Sequence, residues 1–138
     1  MNLVTGYRLN DQIGFKLRLA NQKHLEIFSR ILPDTTPTQL AVLAKLNEVG
    51  PLSQNHLGRQ VGMDAATAKG VVDRLARKRL ISTTPSQTDR RRLIIALTAS
   101  GRSLVEQMIP RALAASAATT GNLTPREHDR LCELLEKL

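Results

Sequence analysis

The chain has 138 residues, the length of one ordinary domain, which excludes a barrel or a two-domain enzyme. Its composition, 41% hydrophobic and 23% charged, suits a soluble globular fold and excludes the low-complexity and disordered classes. Twenty Lys and Arg against twelve Asp and Glu leave +8, a surplus suited to nucleic acid or a membrane surface, while three aromatic rings in all exclude the serial stacking platforms of single-strand binders.

The opening stretch from Met1 to Arg8 lacks the apolar core of a signal peptide, and no later run is long enough to span a membrane, so a cytoplasmic protein is expected. Leu9, Ile13, Leu17, Ala20, His24, Phe28 and Ile31 recur every three or four residues. They predict a helix from about Asn10 to Leu32, closed by Pro33 and longer than the core of so small a domain needs. Thr36-Pro37-Thr38-Gln39 is a capping-box arrangement with proline at the first helical position, and Gly50-Pro51 ends the helix predicted over 37–49. Ser53 caps a short helix ending at Gly62, and Asp64 caps the next with only Met63 between, so the two turn sharply. Gly58 and Ala68 are small where these helices approach, Gly62 makes the turn, and Val61, Val71 and Leu75 pack the angle.

After that helix the period changes. Leu80 to Thr84 and Arg92 to Thr98 read as strands, the second with Leu93, Ile95 and Leu97 on one face. The polar run from Pro85 to Arg91 joins them as a hairpin with a long, basic tip. Thr98 caps a further helix that passes Leu104, Met108 and Leu113 to about Thr120, with a kink expected at Pro110. Thr124-Pro125-Arg126-Glu127 opens a last helix whose Leu131, Leu134, Leu135 and Leu138 form one apolar face. A single cysteine, Cys132, excludes an internal disulfide framework and a zinc site on paired thiolates; beside those leucines it reads as a small apolar filler. His24, His56 and His128 are far apart in sequence, and neither metal nor cofactor is expected. No phosphate loop, nucleophile elbow or catalytic carboxylate pair occurs, so no catalytic residue is assigned and no enzyme is expected.

The fold class read from these elements is mainly α with a small β-hairpin wing: a winged helix-turn-helix flanked by N- and C-terminal helices. A helix-turn-helix pattern alone is common; followed at once by a basic hairpin it is far more specific. From Lys69 to Arg92 eight cations face two acids, +6 of the chain's +8. On a lone helix such a run is an ordinary solvated face, but here it spans two adjacent elements that a winged helix presents to one duplex. The candidate DNA contacts are Ser53, Ala65, Ala66, Thr67, Lys69, Arg74, Arg90, Arg91 and Arg92. The alanines let backbone approach the groove floor, and Thr67 suits a base or a phosphate. Lys69 and Arg74 suit guanine or phosphate alike, and the wing arginines suit a narrow minor groove. Asp89 would repel phosphates, so it is read as orienting Arg91 by a charge-assisted pair.

This order of elements, with Asp89, Arg91, Leu97, Thr98 and Gly101 as its most specific part, resembles the MarR family of bacterial transcription regulators over essentially the whole chain. Leu9 to Arg18 and Gln22 to Phe28 are similar to the branch that represses aromatic catabolism, with the nicotinate-degradation repressors nearest. The resemblance implies a single domain over 1–138, in which 1–35 and 99–138 form dimerisation helices around a DNA-binding lobe at 36–98. It further implies a homodimeric repressor on a pseudo-palindromic operator, released by a small aromatic or heteroaromatic acid such as a hydroxylated nicotinate. The over-long first helix and the last helix's leucines, which need a surface, agree with a dimer. Arg18 falls where several family members place a carboxylate-binding arginine, though a solvated or ion-paired arginine is an equal reading. His24 reads first as a core or interface histidine and second as a ligand contact; Phe15, Phe28, Met108 and Arg111 line a cavity or are plain core and surface. The alternative is a ligand-independent winged-helix DNA-binding or architectural protein.

Overall fold

The computed structural model describes residues 6–138; residues 1–5, part of the opening stretch without an apolar core, lie outside it. A 3-10 turn at Leu9–Asp11 precedes α1 (Ile13–Ile31), α2 (Pro37–Val49), β1 (Leu52–Ser53), α3 (Gln54–Gln60) and α4 (Ala65–Arg77). Strands β2 (Ile81–Pro85) and β3 (Leu93–Leu97) follow, then α5 (Ala99–Thr119) and α6 (Pro125–Glu136). The chain divides into two compact units, one of Leu32–Pro110 and one joining the residues up to Ile31 with Arg111–Leu138.

The first unit encloses a core of Val42, Leu43 and Leu46 from α2, Leu57 from α3, Val71, Val72 and Leu75 from α4, with Ile81, Ile95 and Val105 closing it. Thr36 caps α2 by accepting from the Gln39 backbone N–H at 3.2 Å. The reciprocal half of the expected capping box does not form: the buried Gln39 side chain turns away, and its Oε1 accepts from Lys78 Nζ at 3.2 Å. Gly50 ends α2 at φ +82°. Ser53 and Asp64 cap α3 and α4 as expected, accepting from the backbone N–H of His56 and Thr67. Helix α3 stops at Gln60, two residues early, because Gly62 takes φ +69° and carries the turn. A Cβ on Gly58 would sit 3.3 Å from both the Ala68 Cβ and the Met63 carbonyl oxygen, which accounts for the small residue there.

The hairpin pairs antiparallel from Ile81 opposite Leu97 to Pro85 opposite Leu93. It is not a lone hairpin: β1 adds Leu52 opposite Ile95, giving a three-stranded sheet in the order β1-β3-β2. Two residues are too few to show alternation, so this strand left no pattern to read. On β3 only Ile95 is fully buried, Leu97 is half-buried, and Leu93 is exposed because it lies at the tip end of the hairpin. Thr98 caps α5, accepting from Gly101 N–H at 3.0 Å while donating to the Arg79 carbonyl at 2.8 Å.

In the second unit α1 begins three residues later than expected. Leu9–Asp11 forms a tight turn instead, and Gln12, left extended, opens α1 by accepting from Lys16 N–H. His24 Nδ1 meets Thr119 Oγ1 at 2.8 Å; that hydroxyl donates to the Ala115 carbonyl, so the imidazole is the donor of the pair. Helix α6 starts with the full capping box of Thr124 and Glu127. Its leucines are exposed, from 39% at Leu131 to 45% at Leu135, and Leu138 just beyond it is 82% exposed. Cys132 is exposed too, with Sγ 3.7 Å from His128 Nε2, so within this chain it is not the apolar filler the leucine-rich context suggested.

Candidate nucleic-acid interface

Helix α4 buries Ala68, Val71, Val72 and Leu75 along one stripe. The helical period puts Ala66, Gly70, Asp73 and Arg77 on the opposite, outward face, with Thr67, Lys69 and Arg74 at its flanks. Ala65, Ala66, Thr67, Lys69 and Arg74 are all exposed, so a partner can reach them. Lys69 is not free: its Nζ pairs with Asp73 Oδ2 at 2.9 Å.

Asp64, at the head of α4, accepts from Thr67 N–H at 2.7 Å. That backbone bond, the Thr67 side chain and the Ala66 backbone hold its carboxyl below the usual value. A lowered folded pKa means that the ionised cap adds stability above about pH 4 and loses it as acid titrates the folded group. Thermal melts between pH 2 and 6 should show the wild type losing its lead over Asp64→Asn as the pH falls; a constant lead refutes the ionised cap.

The wing tip is folded on two side chains. Ser86 Oγ accepts from the backbone N–H groups of Thr88 and Asp89, and Ser86 N–H donates to the Arg92 carbonyl at 2.7 Å. Asp89 Oδ1 accepts from both the backbone N–H and the Nε of Arg91, at 3.1 and 3.3 Å, as the sequence suggested. The Arg91 side chain is nevertheless 91% exposed, and Arg90 and Arg92 are exposed beside it. The tip end of the wing meets the start of α3 in a recess of about 100 Å³ lined by Ser53, Gln54, Asn55, Arg91, Arg92 and Leu93. A second recess of about 290 Å³ runs between α3 and α4, where Gln54, Asn55 and Arg59 face Asp64, Ala65 and Ala68. The structure thus joins the head of α4 and the wing arginines around one polar edge of α3; Ser53 lies there too but is buried, at 8% exposure, with its Oγ engaged by His56 N–H. Gln54, Asn55 and Arg59, which line both recesses or one of them, were not among the sequence candidates; their only signal is the spacing of the polar Asn55 and Arg59 one turn apart on a short helix whose other side carries Leu57.

The charge is less concentrated than the sequence implies. Arg77, Lys78 and Arg79 lie at the far end of α4, about 18 Å from Ala65 by the helical rise, where cations complement the helix dipole. Lys78 is engaged by Gln39, and Arg77 Nε donates to the Asp73 carbonyl. Three of the eight cations therefore stand away from the wing tip.

Of the six candidate ligand residues, Phe15, Arg18, His24, Phe28 and Arg111 belong to one unit and Met108 to the other. Arg18 and Arg111 are exposed and Phe15 is half-buried. Phe28 is buried beside His24, with ring centroids 6.0 Å apart. Met108 is buried in the other unit. The recess at the turn from α5 to α6, about 440 Å³, is lined by none of them. Among the described residues no group of three or more His, Cys, Asp or Glu is placed to hold a metal, and no helix is long and apolar enough to cross a membrane.

Comparison with known proteins gives the same assignment from sequence and from structure. The sequence profile of the MarR family matches residues 34–92. The transcriptional repressor NicR of Pseudomonas putida is 37% identical over 136 residues, 97% of this chain and 86% of its own. The solved structure of a probable transcriptional regulator from Pseudomonas aeruginosa superposes with a TM-score of 0.90 at 43% identity, covering 94% of this chain and 98% of that one. BpsR of Bordetella bronchiseptica, whose DNA binding is regulated by 6-hydroxynicotinic acid, gives 0.92 at 35% identity over 95% of each chain.

Proposed function

The chain belongs to the MarR family of DNA-binding transcription regulators, and from that premise we propose a cytoplasmic, homodimeric repressor released from a pseudo-palindromic operator by a small aromatic or heteroaromatic acid. The observation that carries the DNA reading is the wing: three adjacent exposed arginines, one held by Asp89, on the same edge as the exposed head of α4. In this reading Ala65, Ala66, Thr67, Lys69 and Arg74 enter the major groove. Arg90, Arg91 and Arg92 enter the minor groove or grip its phosphates, and Ser53 joins them at the backbone. Two heads about 34 Å apart then read successive turns of one face of the duplex. Residues 1–35 and 99–138 supply the dimer contacts, supported by the exposed leucines of α6 and by Ile13 and Leu17 on α1.

A hydroxylated nicotinate is the first effector to test, because 6-hydroxynicotinic acid regulates DNA binding by BpsR. Arg18, exposed on α1, is the proposed carboxylate contact, a bidentate role that a guanidinium fills better than an ammonium. A ligand releases DNA only as far as it prefers the non-binding conformation. The test is a mobility-shift titration on a duplex selected by the protein from a randomised library, with 6-hydroxynicotinic, nicotinic and benzoic acids added in turn. Release by one of them is expected. Salt-sensitive binding that no acid perturbs favours the ligand-independent alternative.

On the same duplex Arg91→Ala is expected to weaken binding by about 1–3 kcal/mol and to lower the salt slope by about 1. An unchanged slope removes Arg91 from the interface.

A further inference from the structure

Asp73 is unexplained by phosphate binding. It is the sole carboxylate within α4 and it stands on the outward face, between the small residues Ala66 and Gly70 on one side and Arg77 on the other. A carboxylate turned towards a polyanion repels it, and an exposed Lys–Asp pair one turn apart offsets little of that. Nor does the helix need the pair for its own stability: α4 is already capped by Asp64 and buries four apolar side chains. The pair does offer a donor and an acceptor side by side, with Lys69 Nζ 2.9 Å from Asp73 Oδ2 and both side chains at least half exposed. In the major groove guanine presents two acceptors, O6 and N7, and its partner cytosine presents a donor, the N4 amino group. Lys69 and Asp73 are about 6 Å apart along the helix, within the span of one base pair and its neighbour.

We propose that Asp73 is a specificity-determining residue, which accepts a hydrogen bond from a cytosine amino group while Lys69 donates to guanine, so that the pair fixes C·G at one position of each half-site. This rests on the DNA-binding reading above and goes beyond it by assigning a base pair to the outward face of α4. The ion pair of the free chain is then a holding arrangement. It opens only when both partners are replaced at once: C·G offers the carboxylate an amino group on one base and the ammonium two acceptors on the other, whereas A·T carries its amino group and N7 on the same base and leaves only O4, beside the methyl group, on its partner. The small side chains of Ala66 and Gly70 allow the helix to come close enough for the short aspartate to reach a base edge.

The experiment is selection of duplexes from a randomised library by the full-length wild type and by Asp73→Ala and Asp73→Asn, followed by affinity measurements at two salt concentrations. The wild type should enrich one fixed C·G per half-site, preferring it to other pairs by roughly tenfold or more. Asp73→Ala should lose that single preference and keep the others with an unchanged salt slope. Asp73→Asn should move it towards adenine, whose N6 and N7 match an amide. If Asp73→Ala keeps every preference and binds all duplexes more tightly, the carboxylate only repels phosphate and the proposal is overturned. A preference of the wild type for adenine at that position overturns the choice of base. A wild type that enriches no sequence overturns the operator-binding reading itself, whereas enrichment unaffected by either substitution overturns this proposal alone. Both variants alter a half-exposed surface residue, and matching thermal melts will show that the fold is kept.

Discussion

Gly101→Ala is expected to destabilise the DNA-binding unit by about 3 kcal/mol or more, lowering the melting temperature by roughly 10 °C. A Cβ at this position would overlap the Leu80 carbonyl oxygen and stand 2.9 Å from its carbon and 3.2 Å from Leu97 Cδ2. The first obstacle is backbone, so no rotamer change relieves it. Nor can that carbonyl move freely. It accepts from Thr98 N–H at 3.1 Å, and the Leu80 N–H donates to the Leu75 carbonyl at 3.0 Å, the bond that ends α4. Shifting Leu80 therefore disturbs the end of α4, the first pair of the hairpin and the start of α5 together. Urea denaturation at matched protein concentration measures the loss, and stability within about 0.5 kcal/mol of wild type shows that the contact is not close in solution.

Placing aspartate at both Leu131 and Leu135 is expected to turn the dimer into monomers. In the single chain these leucines are 39% and 45% exposed, so the folded monomer should lose much less than the assembly does, which a thermal melt of the dilute protein checks. If the α6 face packs on a second copy, the dimer forfeits the still exposed two-fifths of four leucines, worth roughly 1 kcal/mol each, and gains four carboxylates in an apolar contact. A rise in the dimer dissociation constant of about 1000-fold or more is expected by sedimentation equilibrium. Operator affinity should fall by about 100-fold, because the second half-site is no longer engaged at high effective concentration. A variant that stays dimeric at wild-type affinity places the interface elsewhere.

How far the sequence reveals this molecule depends on the range of the interactions involved. The caps at Thr36, Ser53, Asp64, Thr98 and Thr124 bond within three residues, and each left its mark in the local sequence. The pairing of Asp89 with Arg91 spans two residues and was equally legible. What escaped depends on distant partners. The two-residue strand β1 exists because β3, some forty residues on, offers it an edge. Gln39 abandons its capping role because Lys78, thirty-nine positions away, competes for its oxygen. The basic run from Lys69 to Arg92 is contiguous in sequence, but a helix separates its members by its own length, which puts Arg77 to Arg79 at the opposite end from the head of α4. Gln54, Asn55 and Arg59 became visible only when the wing and α4 closed recesses on either side of them.

The folded wing tip has a kinetic consequence. A polar loop joining two strands ordinarily samples many conformations, and ordering it on binding costs about 1 kcal/mol or more for each residue fixed. Here Ser86 and Asp89 hold the turn in the free protein, so that entropy is lost during folding and does not burden complex formation. A preorganised tip can dock on first collision, without a slow ordering step. Ser86→Ala, which deletes the hydroxyl that gathers Thr88 and Asp89 but leaves every arginine in place, should therefore lower the association rate constant and leave the salt slope as it was.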